Sequence, residues 1–174
     1  MSMKRTLLGI ATSIVAVLAL VTTTAAWAES LPQPQGKPLL QVSGQIKSKN
    51  AGEGAVFDLA MLEGLGRTKL VTSTAWTEGR PEFEGVLLSK LMERLGASGA
   101  TMVAIALNDY KVEIPTADFA KYPVILAYRM DGELLRIRDK GPLWIIYPQD
   151  DHPELKNKQT QAKWVWQVKE VQFK

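Results

Sequence analysis

Apolar and polar positions along this chain repeat with two periods, and the shorter one dominates. Leu40, Val42 and Ile46 share one parity while Gln41, Ser43, Gln45 and Lys47 take the other, the pattern of a half-buried strand. Asn50 to Gly54 reads as a turn. Asp58 then stands where it can cap a short helix through Leu59, Met61, Leu62 and Leu65, which Gly64 or Gly66 ends. Lys69 to Ala75 is rich in β-branched residues and predicts a strand, with a polar loop from Trp76 to Glu82 after it. The helical period is clearest at Leu88, Leu91, Met92 and Leu95, opposite Ser89, Lys90, Glu93 and Arg94, with Gly96 as the stop.

Alternation then returns. Val103, Ile105 and Leu107 lead through Asn108-Asp109 to Tyr110, Val112 and Ile114, a hairpin pattern. A second hairpin joins Val124–Met130 to Leu134–Ile137 through Asp131-Gly132, a pair suited to a type I′ turn. Between the two, Thr116 is placed to cap one helical turn over Ala117 to Ala120. The continuous apolar run Leu143 to Tyr147 predicts a buried strand that Pro148 ends, and Gln149 to Gln161 reads as a polar loop. In the last strand Trp164, Trp166 and Val168 hold one parity and Val171 and Phe173 the other, which predicts a β-bulge near Lys169-Glu170. Strands outnumber helices and no strict βαβ alternation occurs. The expected fold class is α+β, with a mixed, mainly antiparallel β-sheet core and few short helices.

The first residues follow neither period. Lys4 and Arg5 precede an uncharged, mostly apolar run from Leu7 to Val21, which passes through three threonines to Ala26-Trp27-Ala28. A basic start, an apolar middle and a small-x-small end are the three parts of a signal peptide over residues 1–28. The run is shorter than the ~20 apolar residues that span a bilayer, although a membrane anchor is the alternative reading. Residues 29–38, with Pro32, Pro34 and Pro38, form an extended leader too polar to pack a core, and the domain occupies 39–174. An exported domain is expected, periplasmic or secreted, with no stable membrane insertion after cleavage.

Composition narrows the chemistry. The 174 residues hold 21 Lys plus Arg against 18 Asp plus Glu, and two of those bases, Lys4 and Arg5, lie in the leader. The remainder is nearly neutral, which excludes a dedicated nucleic-acid binder. Cysteine is absent, so no disulfide, thiolate metal site or Cys nucleophile is available, and His152 is the single histidine. Asp150, Asp151, His152 and Glu154 offer hard-cation ligands in one loop, or simply a solvated acidic turn. No serine sits in a Gly-x-Ser-x-Gly elbow, and Glu78, Glu82 and Glu84 read as loop charges before they read as a glycosidase pair.

The stronger constellation is Arg136, Arg138, Asp139 and Lys140 ahead of Gly141-Pro142-Leu143-Trp144. On a strand end the three cations share one face and suit a phosphate, carboxylate or sulfate. Trp76, Tyr110, Tyr128, Trp144, Tyr147, Trp164 and Trp166 could stack a planar ring beside them. An exposed basic strand face over a tryptophan core is the competing reading.

Taken in order, Phe83-Glu84-Gly85-Val86, Asn108-Asp109-Tyr110, Leu126-Ala127-Tyr128, Asp131-Gly132-Glu133-Leu134, Gly141-Pro142-Leu143 and Lys163-Trp164 form a series. It resembles the molybdopterin-binding domain of sulfite-oxidase-like oxidoreductases, from about Val42 to Phe173. The resemblance implies that fold, and a pterin–molybdenum cofactor ligated through one cysteine. Where the family cysteine lies, this chain reads Val71-Thr72-Ser73-Thr74-Ala75-Trp76, and where the family has Gly-x-Pro-Leu-Arg it reads Gly141-Pro142-Leu143-Trp144. A hydroxyl is a poor substitute for a thiolate toward molybdenum. Molybdopterin is therefore implied by resemblance and disfavoured by the missing cysteine.

The expected function is a sensory or accessory protein that binds a small anionic or planar ligand and partners a membrane signalling protein. A molybdopterin-dependent oxidoreductase with non-cysteine ligation is the alternative. Candidate ligand-binding residues are Trp76, Asp109, Tyr110, Tyr128, Arg136, Arg138, Lys140, Trp144 and Lys163.

Overall fold

The computed structural model describes residues 31–174, so the signal-peptide reading of residues 1–28 lies outside the described residues. Two five-stranded sheets share one hydrophobic core. The first contains β1 (Leu40–Gly44), β2 (Ala55–Phe57), β5 (Thr101–Ala106), β6 (Lys111–Pro115) and β10 (Val168–Phe173), in the order β2-β1-β10-β5-β6. The second runs β3 (Thr68–Val71), β4 (Glu82–Leu87), β7 (Ile125–Met130) and β8 (Glu133–Leu134), with β9 (Trp144–Ile146) paired to β7. Only β1 with β10 is parallel. The mixed, mainly antiparallel α+β architecture expected from the hydrophobic pattern is the one observed.

Several local signals act as their chemistry dictates. Asp58 caps α1 (Leu59–Gly64) by accepting from the Met61 amide at 2.9 Å. Helix α2 (Leu88–Leu95) buries Leu88, Leu91 and Leu95 and ends at Gly96 in the left-handed region. Asp131 and Gly132 both take positive φ, as a type I′ turn requires. The β10 register shifts between Val168 and Glu170, where the parity change predicts a bulge. Helix α3 (Ala117–Lys121) forms, but Thr116 Oγ1 donates to the Gly99 carbonyl at 2.8 Å instead of capping it.

Elsewhere tertiary contacts override the pattern. The leader is not a free arm: Leu31 is buried, and Asp58 also accepts from the Gln35 and Gly36 amides at 2.8 and 2.7 Å. Strand β3 stops at Val71, because the next residues turn their polar groups toward the loop after β9. The segment from Gln149 to Gln161 is not all loop. It forms a 3-10 turn (Pro153–Leu155) and a short helix, α4 (Lys158–Gln161), whose amide at Thr160 donates to the Asn157 side chain. Trp164 and Trp166 precede β10 rather than lying on it, since Gln167 breaks the strand with φ 54°.

The largest difference concerns the basic segment. Strand β8 is only two residues long, and Ile137–Asp139 is a 3-10 turn, so Arg136, Arg138 and Lys140 do not share a strand face. The turn is closed by the Asp139 and Gly141 amides, which both donate to the Arg136 carbonyl at 2.8 Å, with Lys140 at φ 90°. Glycine at 141 permits it, since a Cβ there would stand 2.2 Å from the Leu135 carbonyl oxygen.

Candidate functional site

The turn over Arg136–Lys140 faces the loop between β3 and β4 across a groove of about 880 Å³. That loop is fastened at its root by one carboxylate. Asp150 accepts from the Ser73 amide at 2.7 Å, from Ser73 Oγ at 2.8 Å and from Arg80 Nε at 2.9 Å, and Lys156 Nζ lies 3.0 Å away. The Ser73 amide first, then the Ser73 hydroxyl and Lys156, hold the Asp150 carboxyl far below the ordinary carboxylate range. Gln149 Nε2 donates to the Ser73 carbonyl at 2.8 Å, and Thr74 Oγ1 accepts from the Trp76 amide at 3.0 Å. A loop with this many fixed points presents Trp76 in one position.

Trp76 is 36% exposed and sits at the centre of an aromatic cluster. Its ring lies 5.1 Å from Trp166, 6.1 Å from Trp164 and 6.3 Å from Trp144. Lys140 Nζ stands 5.5 Å from the Trp144 ring centre and 6.0 Å from that of Trp166. Lys140 has no carboxylate partner among the described residues. Its two neighbours differ, since Arg136 and Arg138 both donate through Nε to Asp139, at 2.8 and 3.4 Å. Their Nη groups make no bond to protein among the described residues. Glu78, Asp131 and Glu133 also line the groove, which confines any anion-binding character to the Arg136–Lys140 end.

The remaining candidates are placed differently. Tyr110 is well exposed and shares a second cavity with Trp76. Trp144 is fully buried and donates from Nε1 to the Trp164 carbonyl at 3.3 Å, so it forms the floor of the cluster. Asp109, at φ 64°, is exposed and accepts from Lys169 at 2.6 Å, which lowers its pKa. Lys163 donates to Asp118 Oδ2 at 2.7 Å, the same oxygen that accepts from Tyr147 at 2.8 Å, and so serves to anchor α3. Tyr128 is buried and borders a different groove with Asp58 and Pro142; burial, then Glu84 and Glu63, raise its pKa. The fold thus gathers Trp76, Tyr110, Arg136, Arg138 and Lys140 above Trp144 and sets Asp109, Tyr128 and Lys163 apart. Trp164 and Trp166, named above only as possible stacking partners and not among the chosen site residues, belong to the cluster. Asp150 matters as a loop anchor, for which the sequence carries no signal.

Residues 60–171 match the oxidoreductase molybdopterin-binding domain family. The chain belongs to that family. A structural relative is the sulfane dehydrogenase SoxCD of Paracoccus pantotrophus, with 21% identity and a TM-score of 0.56 over 77% of this chain. The match spans 37% of the SoxCD chain, and at this identity it shows the shared fold. No curated protein matches significantly.

Membership raises the question of whether these residues suit a thiolate-ligated molybdenum cofactor. They do not. The chain has no cysteine. Between Val71 and Trp76, the segment compared above with the family's cysteine region by resemblance, Ser73 Oγ donates to Asp150, Thr74 Oγ1 bonds Thr77 Oγ1 at 2.8 Å, and Thr72 Oγ1 lies 3.4 Å from the Asp150 amide. Every hydroxyl there is already committed to protein, and none is a soft donor.

Proposed function

We propose that this chain is an exported, small-ligand-binding member of the molybdopterin-binding-domain family that works without thiolate-held molybdenum. Its ligand, anionic or planar, sits in the groove between Trp76 and the Arg136–Lys140 turn, and the liganded protein acts as a sensory or accessory partner of a membrane signalling protein. The observation that carries this reading is Lys140: a cation without a carboxylate partner among the described residues, 5.5 Å from the Trp144 ring and beside an exposed tryptophan. An anionic group gains a charge-assisted hydrogen bond from Lys140 and from the Nη groups of Arg136 and Arg138, while the Trp76 face offers stacking area. Asp139 holds the two arginines near each other without consuming their forks.

The competing reading is an oxidoreductase that holds molybdopterin through other ligands, and family membership favours it. Small molecules released by heat from the exported protein and identified by mass spectrometry distinguish the two. An anionic or planar compound is expected, with retention lowered about tenfold in both Lys140→Ala and Arg138→Ala. Equal retention by both variants would remove the groove from the account.

A further inference from the structure

A second cavity, of about 300 Å³, is walled by Trp76, Tyr110, Trp164 and Trp166 together with the amide side chains of Asn108 and Gln161. No charged residue lines it. Three of its four aromatic walls are substantially exposed: Trp76, Tyr110 and Trp166 are 36%, 55% and 37% accessible. Exposed aromatic rings converging on one cavity are costly to hydrate and mark a recognition surface.

The angles between the rings select the shape of the occupant. Trp76 meets Trp166 at 76° and Trp164 at 51°, and neither pair is parallel. A flat ring needs parallel walls to be sandwiched, whereas steeply inclined walls enclose a compact, rounded group. The cluster already attracts positive charge, since Lys140 Nζ is seated 6.0 Å from the Trp166 ring on the groove side.

We propose that this cavity binds a methylated ammonium group, the cationic head that the betaines carry. The inclined indoles and Tyr110 hold the methylated cation by cation–π attraction. The site is distinct from the anion groove, shares only Trp76 with it, and does not depend on the groove being occupied.

Calorimetric titration of the exported chain with glycine betaine tests this, alongside 3,3-dimethylbutanoate, which has the same shape and carboxylate but carbon in place of the charged nitrogen. Saturable binding of glycine betaine is expected, about tenfold tighter than the carbon analogue, the share assigned to cation–π attraction. Trp166→Ala should weaken it by about the same factor, and Trp166→Phe should restore most of it by keeping an aromatic face. Tetramethylammonium, which keeps the methylated cation without the carboxylate, should also bind saturably. Equal affinity for the carbon analogue, unchanged affinity in Trp166→Ala, or no saturable binding of glycine betaine would each overturn the proposal.

Discussion

Asp150 concentrates more of the site's geometry than any other single residue. It fixes the backbone and side chain of Ser73 and pairs with Arg80 and Lys156, so the loop that carries Trp76 depends on one carboxylate. Asp150→Ala is expected to lower unfolding free energy by about 2 kcal/mol in urea denaturation and to shift the emission of Trp76. The same contacts set a pH dependence. The folded pKa is depressed below the unfolded value, so the stabilisation is complete above roughly pH 4 and is lost as pH falls through the acid range. Stability of the wild type measured from pH 6 downward should therefore fall more steeply than that of Asp150→Asn. Lys140 offers a different separation. At φ 90° a glycine relieves backbone strain of about 1 kcal/mol, close to the cation–π attraction lost with the ammonium. Lys140→Gly should leave the melting temperature nearly unchanged while reducing retention of an anionic ligand.

At the scale of elements, the packing of β4 on β7 explains one motif of the sequence. Gly85 sits at the register shift between these strands, and a Cβ there would lie 2.3 Å from the Leu126 carbonyl oxygen. Gly85→Ala is expected to cost about 3 kcal/mol or more, read as a drop in the urea midpoint, because the obstacle is backbone that cannot swing aside. Elements with a strong period, such as α2 and the β5–β6 hairpin, were legible because burial follows the repeat directly. The Arg136–Lys140 segment was not, since its alternating charges imitate a strand while backbone bonds to the Arg136 carbonyl and the close approach that Gly141 allows make it a 3-10 turn. Trp164 and Trp166 imitate a strand in the same way. Their parity fits a common strand face, yet Gln167 takes a left-handed conformation and leaves one buried and the other partly exposed. Short helix α4 has no hydrophobic period to read, because only Thr160 in it is buried.

Across the whole molecule, order and spacing of short motifs were enough to indicate the family, whereas the site depended on contacts no local pattern records. Trp76 meets Trp166 from a distant part of the chain, and the two cavities exist because one indole is held between them. The family's fold is present, and Thr72 and Ser73 belong to the hydrogen-bond network around Asp150. The most direct measurement is the molybdenum content, with pterin absorbance, of the protein purified from its native compartment. The account predicts molybdenum far below one atom per chain and no pterin band; stoichiometric molybdenum would contradict it.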